Sequence, residues 1–235
     1  MRRWIIVAAT LLTTTHLRAQ EVGVAPPKSP YEDLTAQSEI GFWGGWFFGS
    51  SGRAGVGLQD GPTVGVRYDR HFGGPAAMSV RFGFVSADRT VLNPSLNPPG
   101  RTLGTQRETV FIFDGDFEFL VTGAKTWHGL VPLVHAGLGA QFDTSPPDIG
   151  GFSVGTGFAL NVGCGVKYIP SPTSRFTLRF DFVDNIWQYA YPSSYYLIPG
   201  GAGVPVLVPG SATNQWTNNL QLTLGLNMVI GRAGK

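Results

Sequence analysis

Cysteine occurs once in the 235 residues, at Cys164, so the chain has neither an intrachain disulfide nor a multi-cysteine metal site. Charge is also scarce. Asp, Glu, Lys and Arg make up 14% of the chain, against about 25% in typical soluble domains. Long apolar runs are missing: Trp4 to Leu12 spans nine residues, under half of the about 20 that a membrane-spanning helix needs. No later run comes closer, which excludes a transmembrane helix. No stretch after residue 40 combines helical periodicity with capping residues. The HExxH, CxxC, GxSxG and phosphate-loop motifs are absent too.

The start of the chain reads as a targeting segment. Met1-Arg2-Arg3, the apolar run and the polar stretch Thr13 to Ala19 describe a secretory signal peptide cleaved after Ala19. Losing Arg2, Arg3 and Arg18 takes Lys+Arg from 17 to 14 against 15 Asp+Glu, so the mature net charge is about −1. The basic balance of the whole chain therefore belongs to the signal and implies no nucleic-acid partner. Residues 20–38 carry Pro26, Pro27 and Pro30 among mixed polar residues and are expected to form a low-order leader.

What the chain does contain is period-two alternation. Residues 176–182 read FTLRFDF: Phe176, Leu178, Phe180 and Phe182 alternate with Thr177, Arg179 and Asp181, the mark of a strand with one apolar and one polar face. The same reading from residue 39 predicts eight strands, over about 39–48, 63–72, 76–86, 108–121, 130–142, 152–168, 174–187 and 216–230. Their connections alternate mostly between long (49–62, 87–107, 143–151, 188–215) and short (73–75, 122–129, 169–173). The pattern predicts an all-β fold, an eight-stranded antiparallel up-and-down transmembrane β-barrel over 39–230, followed by a tail, 231–235.

Alternation alone leaves open which face meets water. The polar set is Arg67, Asp69, Arg81, Asp114, Asp116, Glu118, His135, Lys167, Arg175, Arg179 and Asp181. Each Arg or Lys turned toward lipid near the midplane costs about 2–4 kcal/mol, so several would exceed the stability of a typical domain. In a membrane these residues must line a polar, filled interior, paired with one another. Gly65, Gly83, Gly137, Gly139, Gly163, Gly165 and Gly225 share their parity and leave room inside. Aromatic girdles are expected from Tyr68, Phe72, Tyr168 and Trp127 at the turn end, and from Phe48, Trp187, Tyr189 and Trp216 at the loop end.

On these features residues 39–230 resemble the eight-stranded outer-membrane β-barrels of the OmpA-like transmembrane type. The resemblance rests on pattern and on no sharp motif. It implies the outer membrane of a Gram-negative envelope, with membrane lipids and the barrel-assembly machinery as partners, and a monomer. The chain departs from the type in ending IGRAGK, with no aromatic residue after Trp216.

Chemistry is sparse. His135 has carboxylates of its own parity, but a histidine held in a polar network is the simpler reading. The His-x-Ser pair of barrel deacylases is missing at His71, His128 and His135. The sequence therefore implies no catalytic residue, cofactor or metal, and a lumen full of charged side chains argues against a wide pore. The loop 188–215 is rich in Tyr and aliphatic residues. Tyr191, Tyr195, Tyr196 and Leu197 are its candidate surface contacts for an extracellular ligand, unless Tyr195–Ile198 and Val204–Val208 pair as a hairpin around PGGAG. The expected role is structural or surface-interacting. Its rivals are a secreted lipocalin-like barrel holding an apolar ligand, and a lipid-modifying barrel enzyme.

Overall fold

The computed structural model describes residues 29–232. The signal segment, residues 20–28 of the leader and 233–235 of the tail lie outside it. The described residues hold ten strands: β1 (Tyr31–Asp33), β2 (Ala36–Phe48), β3 (Gly61–Gly73), β4 (Ala76–Leu92), β5 (Thr102–Leu120), β6 (Lys125–Trp127), β7 (Leu130–Asp143), β8 (Gly157–Tyr168), β9 (Phe176–Ala190) and β10 (Asn214–Arg232). Eight of them form a closed antiparallel ring in the order β2-β3-β4-β5-β7-β8-β9-β10, and β10 returns to β2 through Leu224↔Gly44. Each of these eight pairs with the next of the eight in sequence. This is the predicted up-and-down barrel.

The alternation becomes an inside and an outside. Along β9, Arg179 and Asp181 are 1% exposed, whereas Phe180 and Leu178 are 47% and 43% exposed. Phe117 and Leu224 stand about 60% exposed, while Asp116 between its phenylalanine neighbours is at 4%. The apolar rows thus point outward all round the ring, and the charges are enclosed. An ordinary soluble core would reverse this arrangement. Polar residues interrupt the outward rows near their ends on several walls, as Arg70 does on β3, Ser86 and Asp88 on β4, Thr109 on β5, Asp184 on β9 and Asn218 on β10.

Several boundaries differ from expectation. β1 lies inside the predicted low-order leader and pairs antiparallel with β6, Glu32↔Thr126, where a plain connection was expected; β2 also begins at Ala36. Leu34 packs at this end against Leu120, Val131, Leu133 and Ile169, and burial of that apolar side chain orders the segment. β4 and β5 run farther, to Leu92 and from Thr102, so their loop shrinks to 93–101. Arg89 and Glu108 pair inside this extension and Arg107 and Asp88 outside it, which stabilises a hairpin above the ring. β8 starts at Gly157 and not at 152, because Phe152 is drawn into the cluster of apolar side chains at the loop end.

Candidate functional site: the polar lumen and its aromatic cap

The lower lumen, toward the short turns, is filled by polar residues from the inward rows of the walls, in a smaller ion cluster about Arg81 and a larger ion network. Arg179 is the hub of the larger one. Its Nη1 lies 2.7 Å from Glu118 Oε1 and 3.2 Å from Asp69 Oδ2, and its Nε donates to Asp181 Oδ1 at 2.8 Å. Arg67 reaches Asp181 at 2.8 Å. Arg81 is bidentate on Asp114, at 2.7 and 3.1 Å, and 3.4 Å from Asp116. Lys167 Nζ contacts Asp69 at 2.9 Å, Glu39 at 3.1 Å and His71 Nε2 at 3.2 Å. His135 Nδ1 lies 3.3 Å from Asp116.

Ten of the eleven residues read as lumen-facing are therefore buried inside the ring, in these two ion-paired groups. Arg175 is not. It precedes β9 in the turn after β8 and is exposed, because the strand begins one residue later. Sequence reasoning missed Glu39, fully buried and bonded also by Asn227 Nδ2 at 3.3 Å. The signal was available: Glu39 shares parity with the inward glycines Gly41 and Gly45, yet it sits where both faces of the strand carry aromatics.

The network sets six carboxylates (Glu39, Asp69, Asp114, Asp116, Glu118, Asp181) against four fixed cations (Arg67, Arg81, Lys167, Arg179). Unbalanced buried charge is costly, and the two enclosed histidines, His71 and His135, lie beside Lys167 and Asp116 respectively.

Above the ions the inward glycines are occupied by larger neighbours. A Cβ on Gly83 would stand 2.5 Å from Trp43 Cζ2, and the same indole covers Gly65. Its Nε1 donates to the Val66 carbonyl at 3.2 Å. These glycines give space to an indole, where room for arginine was expected. Near the ions the expectation is closer: a Cβ on Gly165 would stand 2.5 Å from Asp181 Oδ1.

Toward the long loops the lumen turns apolar. Phe47 stacks on Trp187 at 5.6 Å, and Phe152 packs on Tyr189, Tyr191 and Tyr195 at 5.9 to 6.4 Å. Trp187 and Tyr189 are fully buried; their parity is inward, so they belong to this cap and to no outer girdle. Phe48 and Trp216 are exposed as expected, as are Tyr68, Phe72, Trp127 and Tyr168.

Polar ties hold the cap. Arg89, fully buried, donates to Glu108 at 2.7 Å and Asp148 at 2.6 Å, and its guanidinium lies 5.6 Å from the Phe152 ring. The other Asp148 oxygen accepts the backbone N–H of Gly150 and Phe152 at 2.8 and 3.0 Å. Arg53 lies over the Tyr191 ring at 5.3 Å, and the Tyr191 hydroxyl donates to Gln215 at 2.7 Å.

The expected surface contacts divide accordingly. Leu197 is 65% exposed, but Tyr191 and Tyr195 are buried in the cap and Tyr196 is half-buried. The expected hairpin does not form either. Two short 3₁₀ turns, Ser193–Tyr196 and Pro199–Gly201, replace it, and only Leu207 N–H bonds back to the Tyr195 carbonyl, at 2.9 Å. Burying the tyrosine rings outweighs continuing the ladder. Burial holds the Tyr195 phenol above its ordinary value, and the Asp148 carboxylate pushes it the same way.

No family model matches the chain, and no curated protein is similar to it in sequence. Among solved structures it is similar to the N-terminal β-barrel domain of Pseudomonas aeruginosa OprF, with 13% identity, a TM-score of 0.39 and 84% of this chain covering 98% of that one. It is also similar to Ail, the attachment invasion locus protein of Yersinia pestis, solved with the heparin analogue sucrose octasulfate: 14% identity, TM-score 0.36, 84% and 100% coverage. The likeness is loose at those TM-scores, and the eight-stranded ring stands on the chain's own strand pairings.

Proposed function

We propose that the chain is an integral outer-membrane β-barrel with a closed lumen, delivered by its secretory signal peptide, and that its role is structural or surface-presenting and not catalytic. One observation carries the reading: the phenylalanine and leucine rows face outward round the whole ring while Arg179, Asp116 and Lys167 are enclosed. An apolar band of that kind is stable against acyl chains and unstable against water. The outward runs, such as Phe111 to Phe119 on β5 and Leu220 to Ile230 on β10, span 9 to 11 residues, the length of a tilted membrane-crossing strand.

The ion network below and the aromatic cap above fill the cross-section, which favours a plugged barrel over a conducting one. The cap is stitched from all the long loops, so it offers a fixed surface on which exposed residues such as Leu197 and Val208 are held. A soluble lipocalin-like barrel is disfavoured because its ligand-binding apolar face would point inward. On this reading the partners are membrane lipids and the barrel-assembly machinery, and the protein acts as a monomer. Membrane fractionation with a heat-modifiability gel tests it. The expected result is recovery in the outer-membrane fraction with a folded band that shifts on boiling; a soluble protein without that shift overturns the reading.

A further inference from the structure

β8 stops early, and its absence opens a notch in the outer wall. β9 continues to Ala190 and pairs there with β10, Gln188↔Trp216, but the last rung between β8 and β9 is Ala159↔Trp187. One step above that rung the register sets Phe158 level with Gln188. Phe158, Gln188 and Trp216 therefore form a row across three adjacent walls, all of outward parity, and the two aromatic side chains are each 51% exposed. With about 4.8 Å between strands, the aromatic residues stand about 10 Å apart with the amide between them. The segment 151–157 and Tyr191 close the upper side, giving a cavity of about 480 Å³ to which Ser153 and Thr156 add hydroxyls.

The chemistry of the lining selects a ligand class. Aromatic faces flanking a carboxamide suit a flat, hydroxyl-bearing ring, whose C–H face packs on the aromatics while its hydroxyls bond to Gln188, Thr156 and free backbone groups of β9. No residue lining the cavity is charged, so a phosphate or sulfate would enter without the cation it requires. The nearby Arg53 is already engaged with the Tyr191 ring and the Ala212 carbonyl. Directly below, Leu160 and Ile186 continue the apolar wall.

From this geometry we infer that the notch binds an uncharged hexopyranoside, either the saccharide headgroup of an outer-leaflet lipid or a free sugar. The lipid source rests on the membrane reading above; the sugar site does not. The test uses the full chain folded in phosphatidylcholine nanodiscs. Saturation-transfer NMR is read with methyl β-D-glucopyranoside, and Trp216 fluorescence with a β-glucosyl diacylglycerol in the bilayer, against a Trp216→Phe reference. Saturable binding that falls at least tenfold in Gln188→Ala, and likewise in Thr156→Val should the first variant fold poorly, supports the site. Response to the methyl glucoside assigns a free sugar, and response to the glycolipid alone assigns a headgroup. Absence of saturable signal from both probes, or binding unchanged in folded variants, overturns it. Insertion is read on the same samples by the heat-shifted band: sugar binding without insertion sinks the membrane reading and leaves the notch intact.

Discussion

Arg179 and Asp114 occupy the same lumen with unequal consequences. Arg179 is the partner of three carboxylates, in a network already holding more acids than fixed cations. Removing it leaves Glu118 without a cation and takes one of two cations from Asp69 and from Asp181, a loss of about 3–5 kcal/mol for a broken buried pair. Asp114 bonds to Arg81 alone, and Arg81 keeps Asp116 at 3.4 Å. Arg179→Leu is therefore expected to lower the unfolding free energy of the barrel, measured by urea titration, by about 3 kcal/mol or more. Asp114→Asn, which relieves part of the excess, is expected to cost about 1 kcal/mol or less, a neutral hydrogen bond replacing a charged one. Equal losses would contradict the unbalanced network. The identity of these residues was legible from parity; the pairs that Arg179 makes with Asp69 and Glu118 were not, since they join strands far apart in the chain.

At the scale of elements, the long loops fold down onto the barrel mouth. The alternation through Tyr189 and Tyr191 continues the inward row of β9, and Phe152 comes to meet it from the loop before β8. That meeting is invisible in sequence, where Phe152 reads as the start of a strand and Tyr195 as an exposed contact. Burial of the Tyr195 phenol has a pH consequence. Its folded-state value is raised above the ordinary value near 10, so its contribution to stability is complete below about pH 10. It is lost as pH rises through the folded value, when the ring must ionise or leave. Spectrophotometric tyrosine titration is expected to show the buried cap phenols Tyr189, Tyr191 and Tyr195 ionising late, together with loosening of the cap, and Tyr195→Phe is expected to remove one of these late steps. A titration of all tyrosines near their ordinary value would place Tyr195 at the surface.

For the whole molecule, the governing fact is the inverted distribution of apolar and charged groups. Leu224 lies 61% exposed near the middle of its outward row. If that row meets acyl chains, Leu224→Arg is expected to destabilise the barrel in a bilayer by about 2–4 kcal/mol, measured by reversible unfolding in lipid. In a soluble barrel the same exposed position would tolerate arginine within about 0.5 kcal/mol. The two magnitudes are far enough apart for one variant to decide.

The period of two, the low charge and the alternation of long and short connections determined by themselves the eight strands, their order and the parity of almost every wall residue, because side-chain direction along a strand is a local property. Tertiary structure alone decided where the strands end, which partners Glu39 meets, that Trp43 fills the space left by Gly65 and Gly83, and that Phe152 and Tyr195 turn inward. Those outcomes depend on which residues from distant walls meet across a closed ring, a matter of register and packing volume that no single segment contains.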